Sequence, residues 1–343
     1  MKVLLVGLGR WGENHLRVLG ELGAELWVAD VSAERRAFAV KAGVDAARAV
    51  EDFRQALPHV EAVDIVTPAD NHLALARECL GAGRDCFIEK PLTLTVDEGR
   101  RLADVVAQTG RVLQVGHIFR FHPVTTALRE RLATGGLGRV RYCTGRFAGF
   151  KRPRTDVGVT QTDAIHYFDL FAYLLGREAT AVTANLSDHL GRGMDDCSFT
   201  TVEYGDVPAF IEAGYFAPRT YRDCVIVGEQ ATLDADFGTS EVRVVANRHV
   251  ETPSGWQAPE GAVESIKASG PEPLRHELEL FLDAVARRGR PAVDVQAGLA
   301  AMLTVEAAQR SSSLGRRVTL AESSYLRLAP TPPVVVAPTG RLT

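Results

Sequence analysis

Along the chain, short apolar runs alternate with longer stretches in which apolar positions recur every three or four residues. Residues 2–6 form an apolar run broken by Gly7, and a helical pattern follows over about residues 11–22. Residues 24–30 repeat the run, and Ser32 is placed to cap a helix that continues to Gly43. The alternation goes on with a strand at 60–66, a helix at 71–80, a strand at 85–88 and a helix at 96–107. Thr95 and Glu98 have the spacing of a capping box for that last helix, and Gly110 marks its end. Residues 111–115 close the series. Strands alternating with helices in this way predict an α/β unit, a doubly wound parallel sheet of Rossmann type covering residues 1–120.

Beyond Arg120 the period changes. After one helix at about 124–133, strand-like runs come at 140–147, 179–186, 198–204, 209–216, 224–227 and 242–246, separated by turn signals such as Tyr204-Gly205-Asp206. They predict a second, α+β unit over residues 121–325 with a large, mostly antiparallel open sheet. Leu274, Leu278, Phe281, Leu282 and Val285 fall on one helical face, and a further helix runs over 295–311. The remainder, 326–343, is proline-rich and reads as an extended or partly disordered tail. A sheet covered by helices on one face needs cover on the other. Self-association, as a homodimer or homotetramer through the second sheet, is the expectation.

Composition narrows the function. The 343 residues are 46% apolar, ample for sizeable cores. A formal net charge of −4 gives no electrostatic footprint for nucleic acid, and no apolar run is long enough to span a membrane. Five cysteines without paired CxxC spacing suit reduced core thiols in a cytoplasmic protein better than a disulfide framework or a zinc site. No metal-ligand cluster is apparent, so small-molecule partners are favoured.

Candidate chemistry collects at predicted strand ends. Gly7-Leu8-Gly9-Arg10-Trp11-Gly12 fits GxGxxG between the first strand and first helix. Gly7 allows a tight turn, Gly9 lets backbone approach a pyrophosphate, and Gly12 lets helix and strand pack closely. Asp30 follows about 18 residues after Gly12, at the end of the second strand, where a carboxylate binds adenosine ribose hydroxyls and repels a 2′-phosphate. NAD is therefore preferred over NADP, with Arg35 and Arg36 placed on the solvated side of the next helix. Thr67-Pro68 and Glu89-Lys90-Pro91 end two further strands at the same edge, and His72 follows in a helix's first turn, either lining the crevice or merely at the surface.

Taken with Gly116-His117, Arg120-Phe121-His122-Pro123, His166-Tyr167-Phe168-Asp169 and the stretch Gly289–Asp294, these motifs resemble the Gfo/Idh/MocA family of glucose–fructose oxidoreductases, inositol dehydrogenases and rhizopine-catabolism proteins. The likeness covers nearly the whole chain, and the EKP motif is its most specific element. It implies an NAD-dependent dehydrogenase in which Lys90 lies beside the nicotinamide and, with His166, handles the substrate hydroxyl proton. Gly7, Leu8, Gly9, Arg10, Trp11, Gly12, Asp30, Thr67, Pro68, His72, Glu89 and Lys90 would line the cofactor, and Arg120, His117, Thr162, Asp163 and Arg154 the substrate. The family has an aspartate four residues before the histidine. Here that position is Thr162 with Asp163 next to it, and a one-residue offset on a helix beginning near Thr162 turns a side chain by roughly 100°. The cations from Arg146 to Arg154 can either grip a diphosphate or form a solvated loop. A sugar substrate, nucleotide-linked by preference, is therefore expected, with a free sugar or a cyclitol such as inositol as the alternative. A cofactor-binding regulatory protein that does no chemistry is the reading of a different class.

Overall fold

The computed structural model describes residues 1–325, and the proline-rich segment expected as an extended or partly disordered tail lies outside them. The first sheet is built from β1 (Lys2–Val6), β2 (Glu25–Ala29), β3 (Ala49–Val50), β4 (Ala62–Ile65), β5 (Asp85–Glu89) and β6 (Leu113–Gly116), interleaved with α1 (Arg10–Glu21), α2 (Ala33–Lys41), α3 (His72–Gly81) and α4 (Val96–Thr109). Its order is β3-β2-β1-β4-β5-β6 and every pair is parallel. β4 and β5 are buried along their whole length, their acidic residues Asp64, Asp85 and Glu89 included. Ser32 accepts from the Arg35 amide, Thr95 and Glu98 form the expected capping box, and Gly110 ends α4 in the left-handed conformation.

The chain continues through α5 (Pro123–Ala133), β7 (Val140–Ala148), α6 (Ile165–Leu175), β8 (Ala181–Ser187), β9 (Cys197–Tyr204), β10 (Val207–Gly214), β11 (Tyr221–Gly228), β12 (Thr232–Asp236), β13 (Glu241–Val245), the small hairpin β14 (Val250–Thr252) and β15 (Gly255–Gln257), and β16 (Val263–Lys267). The described residues close with α7 (Pro273–Arg287), α8 (Val295–Leu314), β17 (Val318–Thr319) and α9 (Leu320–Tyr325). The second sheet has nine strands in the order β16-β13-β12-β11-β7-β10-β9-β8-β17. All its pairs are antiparallel except β7 with β10 at its centre. The hairpin at Gly205 forms as its turn signal implies, with Gly205 at φ +67°.

Helices α6 and α8 cover one face of this sheet, and Ser311 and Ser312 accept from the Ala184 and Leu186 amides. The opposite face carries exposed Tyr142, Phe199 and Phe210. The two units are stitched together by the later helices. α7 returns to the first sheet, where Leu274, Leu278 and Phe281 pack with Val3, Val18 and Phe87, and the Val115 amide donates to Val293. All five cysteines are free, four of them buried. No helix among the described residues is long and apolar enough to cross a membrane.

Candidate active site at the strand ends of the first sheet

The turn after β1 is shaped by its glycines. Gly7 adopts φ +95°, and a Cβ there would meet the Val66 carbonyl oxygen at 2.7 Å; a Cβ on Gly12 would stand 2.1 Å from the Gly7 carbonyl oxygen. Gly9, by contrast, has open space above it, with nothing within 4 Å of where a Cβ would lie. Backbone can be approached there by a bulky anion at the N-terminus of α1. Asp30 is fixed beside this turn: one carboxylate oxygen accepts from the Leu8 amide at 2.7 Å, the other from the Ser32 amide at 2.8 Å. Each oxygen keeps a lone pair for a ribose hydroxyl. These features fit a dinucleotide. Arg36, expected toward solvent, instead folds back to donate to the Asp30 carbonyl at 2.8 Å, and Arg35 pairs with Glu13.

The ends of β4, β5 and β6 bring Thr67, Pro68, Lys90 and His117 to the same edge of the sheet. The Lys90–Pro91 peptide is cis. Lys90 Nζ donates to the Thr162 carbonyl at 2.7 Å. Burial pulls its amine below the ordinary lysine value, although Asp163 and Glu89 oppose that shift. His166 is buried, its ring packed against Phe119 (4.8 Å between centroids) and Phe147 (5.1 Å), and its Nδ1 has no protein partner. Burial, reinforced by Lys90, His117, Arg222 and Lys151, holds the imidazole well below its usual pKa. At neutral pH it is uncharged.

Several sequence expectations change on this geometry. His72 does not face the crevice. It is buried, with Nδ1 3.0 Å from the Pro91 carbonyl and Nε2 2.9 Å from the Thr67 carbonyl, so it ties two strand-end turns together. Glu89 also points inward: it accepts from the Trp11 indole at 2.8 Å and from the Lys90 amide at 3.1 Å, and faces His15. Trp11 is thereby anchored while part of its ring stays exposed, and Arg10 is exposed on the first turn of α1. Arg120 is committed to Asp169 through two hydrogen bonds of 2.8 and 2.5 Å, with its guanidinium over Tyr173, and lines a separate cavity of about 460 Å³ beside α6 and α8. Asp169 therefore serves Arg120 rather than His166. His117 is buried between these groups, its Nδ1 3.8 Å from Asp169.

The helix carrying His166 does not begin at Thr162. A π-helical turn, Thr160–Ala164, precedes α6, the kind of local widening often found at functional sites. Thr162 turns its hydroxyl to the Gly158 carbonyl (3.2 Å) and to Tyr215 (3.4 Å), leaving its carbonyl for Lys90. Asp163 brings the carboxylate to the crevice, where it accepts from Lys151 Nζ at 2.6 Å and is the chief opponent of the drop in the Lys90 pKa. Arg154 is partly neutralised by Asp156 through bonds of 2.8 and 2.5 Å. The group that sequence reasoning missed is Arg222. Its guanidinium lies 3.4 Å from the Phe147 ring centroid and donates to the carbonyls of Ala148 and Tyr221. Lys90, Lys151, Arg154 and Arg222 thus gather around Asp163, a site whose fixed charge favours an anion. Arg222 belongs to an ordinary alternating strand, and only the pairing of β11 with β7 places it here.

The comparisons with known proteins identify the family and the fold. A family model described as "Oxidoreductase family, NAD-binding Rossmann fold" matches residues 1–117, and its companion, "Oxidoreductase family, C-terminal alpha/beta domain", matches residues 129–320. Among curated proteins the chain is similar to a UDP-N-acetylglucosamine 3-dehydrogenase of Acidithiobacillus ferrooxidans, 30% identical over 90% of this chain and 97% of that protein. It is similar also to an inositol 2-dehydrogenase of Rhizobium meliloti, 26% identical over 92% of this chain and 98% of that one. A solved structure of the Acidithiobacillus ferrooxidans enzyme superposes with a TM-score of 0.78 at 25% identity, covering 94% of this chain and 98% of that one.

Proposed function

The chain belongs to the Gfo/Idh/MocA family of NAD-dependent oxidoreductases acting on CH–OH groups, and from that premise we propose that it oxidises or reduces one carbon of a nucleotide-linked sugar. The observation that carries the substrate class is the gathering of Lys90, Lys151, Arg154 and Arg222 around Asp163 beside His166, with Asp156 on Arg154 and Glu89 next to Lys90 offsetting part of their charge. A sugar diphosphate would answer the excess positive charge, and Arg222 offers a planar donor set for its oxygens. The relative that acts on UDP-N-acetylglucosamine supports the same reading. Oxidation of a free cyclitol is the second reading, favoured by the inositol dehydrogenase likeness and by the Lys151–Asp163 pair, whose two charges suit sugar hydroxyls as well as phosphate.

In this reading residues 1–120 hold the cofactor, residues 121–325 supply the substrate site, and the exposed face with Tyr142, Phe199 and Phe210 joins copies of the chain into a homo-oligomer. The glycine turn and Asp30 grip the dinucleotide, and Thr67 and Pro68 border it. Bound nicotinamide supplies the hydride acceptor or donor. His166, neutral and with a free Nδ1, takes the hydroxyl proton, and Lys90 holds the same oxygen while the carbonyl forms. Turnover measured as NADH absorbance with UDP-N-acetylglucosamine, free N-acetylglucosamine and myo-inositol tests the proposal. A response confined to myo-inositol would defeat the nucleotide-sugar reading.

A further inference from the structure

Behind the crevice lies a buried polar chain that the proposed chemistry does not use. His15, on the first helix, is fully buried; its Nδ1 is 2.8 Å from Asp64 on β4 and its Nε2 is 3.3 Å from Glu89 at the end of β5. Glu89 in turn accepts from the Trp11 indole with the oxygen that faces His15, and from the Lys90 amide with the other. One carboxylate therefore joins the glycine-rich turn to the backbone of the lysine proposed to act on substrate. The fit depends on β6 as well: a Cβ on Gly116 would stand 2.9 Å from the same Glu89 oxygen, so only a glycine there leaves the carboxylate its place.

We propose that His15 is a positioning residue which, by clamping Glu89 against Trp11 and the Lys90 amide, couples the dinucleotide turn to the placement and charge of Lys90. The inference rests on the dehydrogenase reading only for what Lys90 does; the coupling between the turn and β5 stands on the contacts themselves. The titratable groups around His15 are Asp64 from β4, Glu89 from β5 and Glu277 from α7. Burial disfavours the imidazolium, but Asp64 and Glu89 outweigh it and raise His15 to about 10. Burial likewise disfavours a charged Glu89, yet His15, Trp11 and Lys90 together keep its pKa below the ordinary value. Without His15, Glu89 loses its main counter-charge and takes up a proton more readily. Lys90 then loses a negative neighbour, and its pKa falls further.

The test is a double-mutant cycle of His15→Gln and Trp11→Phe in the full chain, read two ways. Calorimetric titration with NAD+ is expected to give a dissociation constant raised about ten-fold in each single variant and no further in the double, because both act through Glu89. The limb of the kcat/KM pH profile that belongs to Lys90 is expected to move to lower pH in each, again without addition. Additive losses of NAD+ affinity, or a limb that stays in place while rates fall uniformly, would overturn the coupling. If His15→Gln fails to fold, Glu89→Gln replaces it in the same cycle. If the wild type binds NAD+ but turns over none of the probes named above, the substrate reading fails while the binding cycle still decides this one.

Discussion

Lys90 Nζ stands 2.7 Å from the Thr162 carbonyl oxygen, so the end of a strand in the first sheet is joined to the π turn that leads into the helix of His166. Two residues 72 positions apart in sequence thereby close one side of the crevice. The backbone carbonyl accepts from the amine whether it is charged or neutral, so it aims Lys90 without fixing its protonation.

Replacing Lys90 by Ala removes that aimed group and leaves the glycine turn and Asp30 untouched. Turnover is expected to fall by about 10²–10⁴-fold, the range for a positioned acid–base group, while NAD+ affinity stays within a few-fold. Steady-state rates and calorimetry check this together. Lost cofactor binding with residual chemistry intact would remove Lys90 from the reacting centre.

Asp30 is expected to discriminate between cofactors by charge. Asp30→Ala leaves the Leu8 and Ser32 amides without their acceptor and takes away the anion that repels a 2′-phosphate, while Arg36 remains close by. The ratio of kcat/KM for NAD+ to that for NADP+ is expected to narrow by about ten-fold or more, equivalent to about 1.4 kcal/mol. An unchanged ratio would take Asp30 out of the ribose site.

The pH profile follows from two shifts of the same sign and different consequence. His166 sits well below 6.5, chiefly through burial, so in alcohol oxidation the acid limb is expected below pH 6.5, where protonation removes the acceptor. Lys90, also lowered by burial, sits below 10.5. If it must be charged to hold the oxygen, activity declines on the alkaline side before pH 10.5. Profiles of kcat/KM for wild type and His166→Gln separate the limbs; an acid limb that survives in the variant belongs to another group.

Arg222 tests the substrate class. Arg222→Ala is expected to raise KM for UDP-N-acetylglucosamine by about ten-fold or more, as for loss of a charge-assisted contact, and to leave KM for myo-inositol little changed. Equal losses on both substrates would point to disturbed packing of Phe147 beneath it.

How much of this was legible in the sequence depended on how local the signal was. The parallel sheet, the capping box at Thr95 and Glu98 and the glycine turn are set by residues a few positions apart, and the structure has them where the pattern placed them. The return of α7 to the first sheet, the parallel pairing of β7 with β10 and the arrival of Arg222 at the crevice depend on long-range pairing that no periodicity encodes. β12 and β16 carry no clear strand signal because acidic and exposed positions interrupt their apolar runs. Within the site, the direction of a side chain was the hidden quantity. His72, at the start of α3, and Glu89, at the end of β5, stand at the expected edge of the sheet yet turn inward, drawn by the Thr67 and Pro91 carbonyls in one case and by Trp11 and His15 in the other.

Glu277 provides a test of the buried network through stability. Its carboxyl, on α7, is fully buried, both oxygens lack a protein hydrogen-bond partner, and burial, with Glu89 adding to it, pushes its pKa well above 4.5. In the unfolded chain the group ionises near its ordinary value. A proton held more tightly when folded gives stability that is fully present below pH 4.5 and is lost as pH rises through the folded value. At neutral pH the folded protein therefore carries a penalty at this position. Glu277→Met, which fills a similar volume without a polar atom, is expected to raise stability at pH 8 by about 1–3 kcal/mol, the usual penalty of an unsatisfied buried polar group, and by less at pH 5. Urea unfolding of both proteins at the two pH values measures the difference. A variant less stable at both would mean that Glu277 has a favourable role in the network that outweighs its burial.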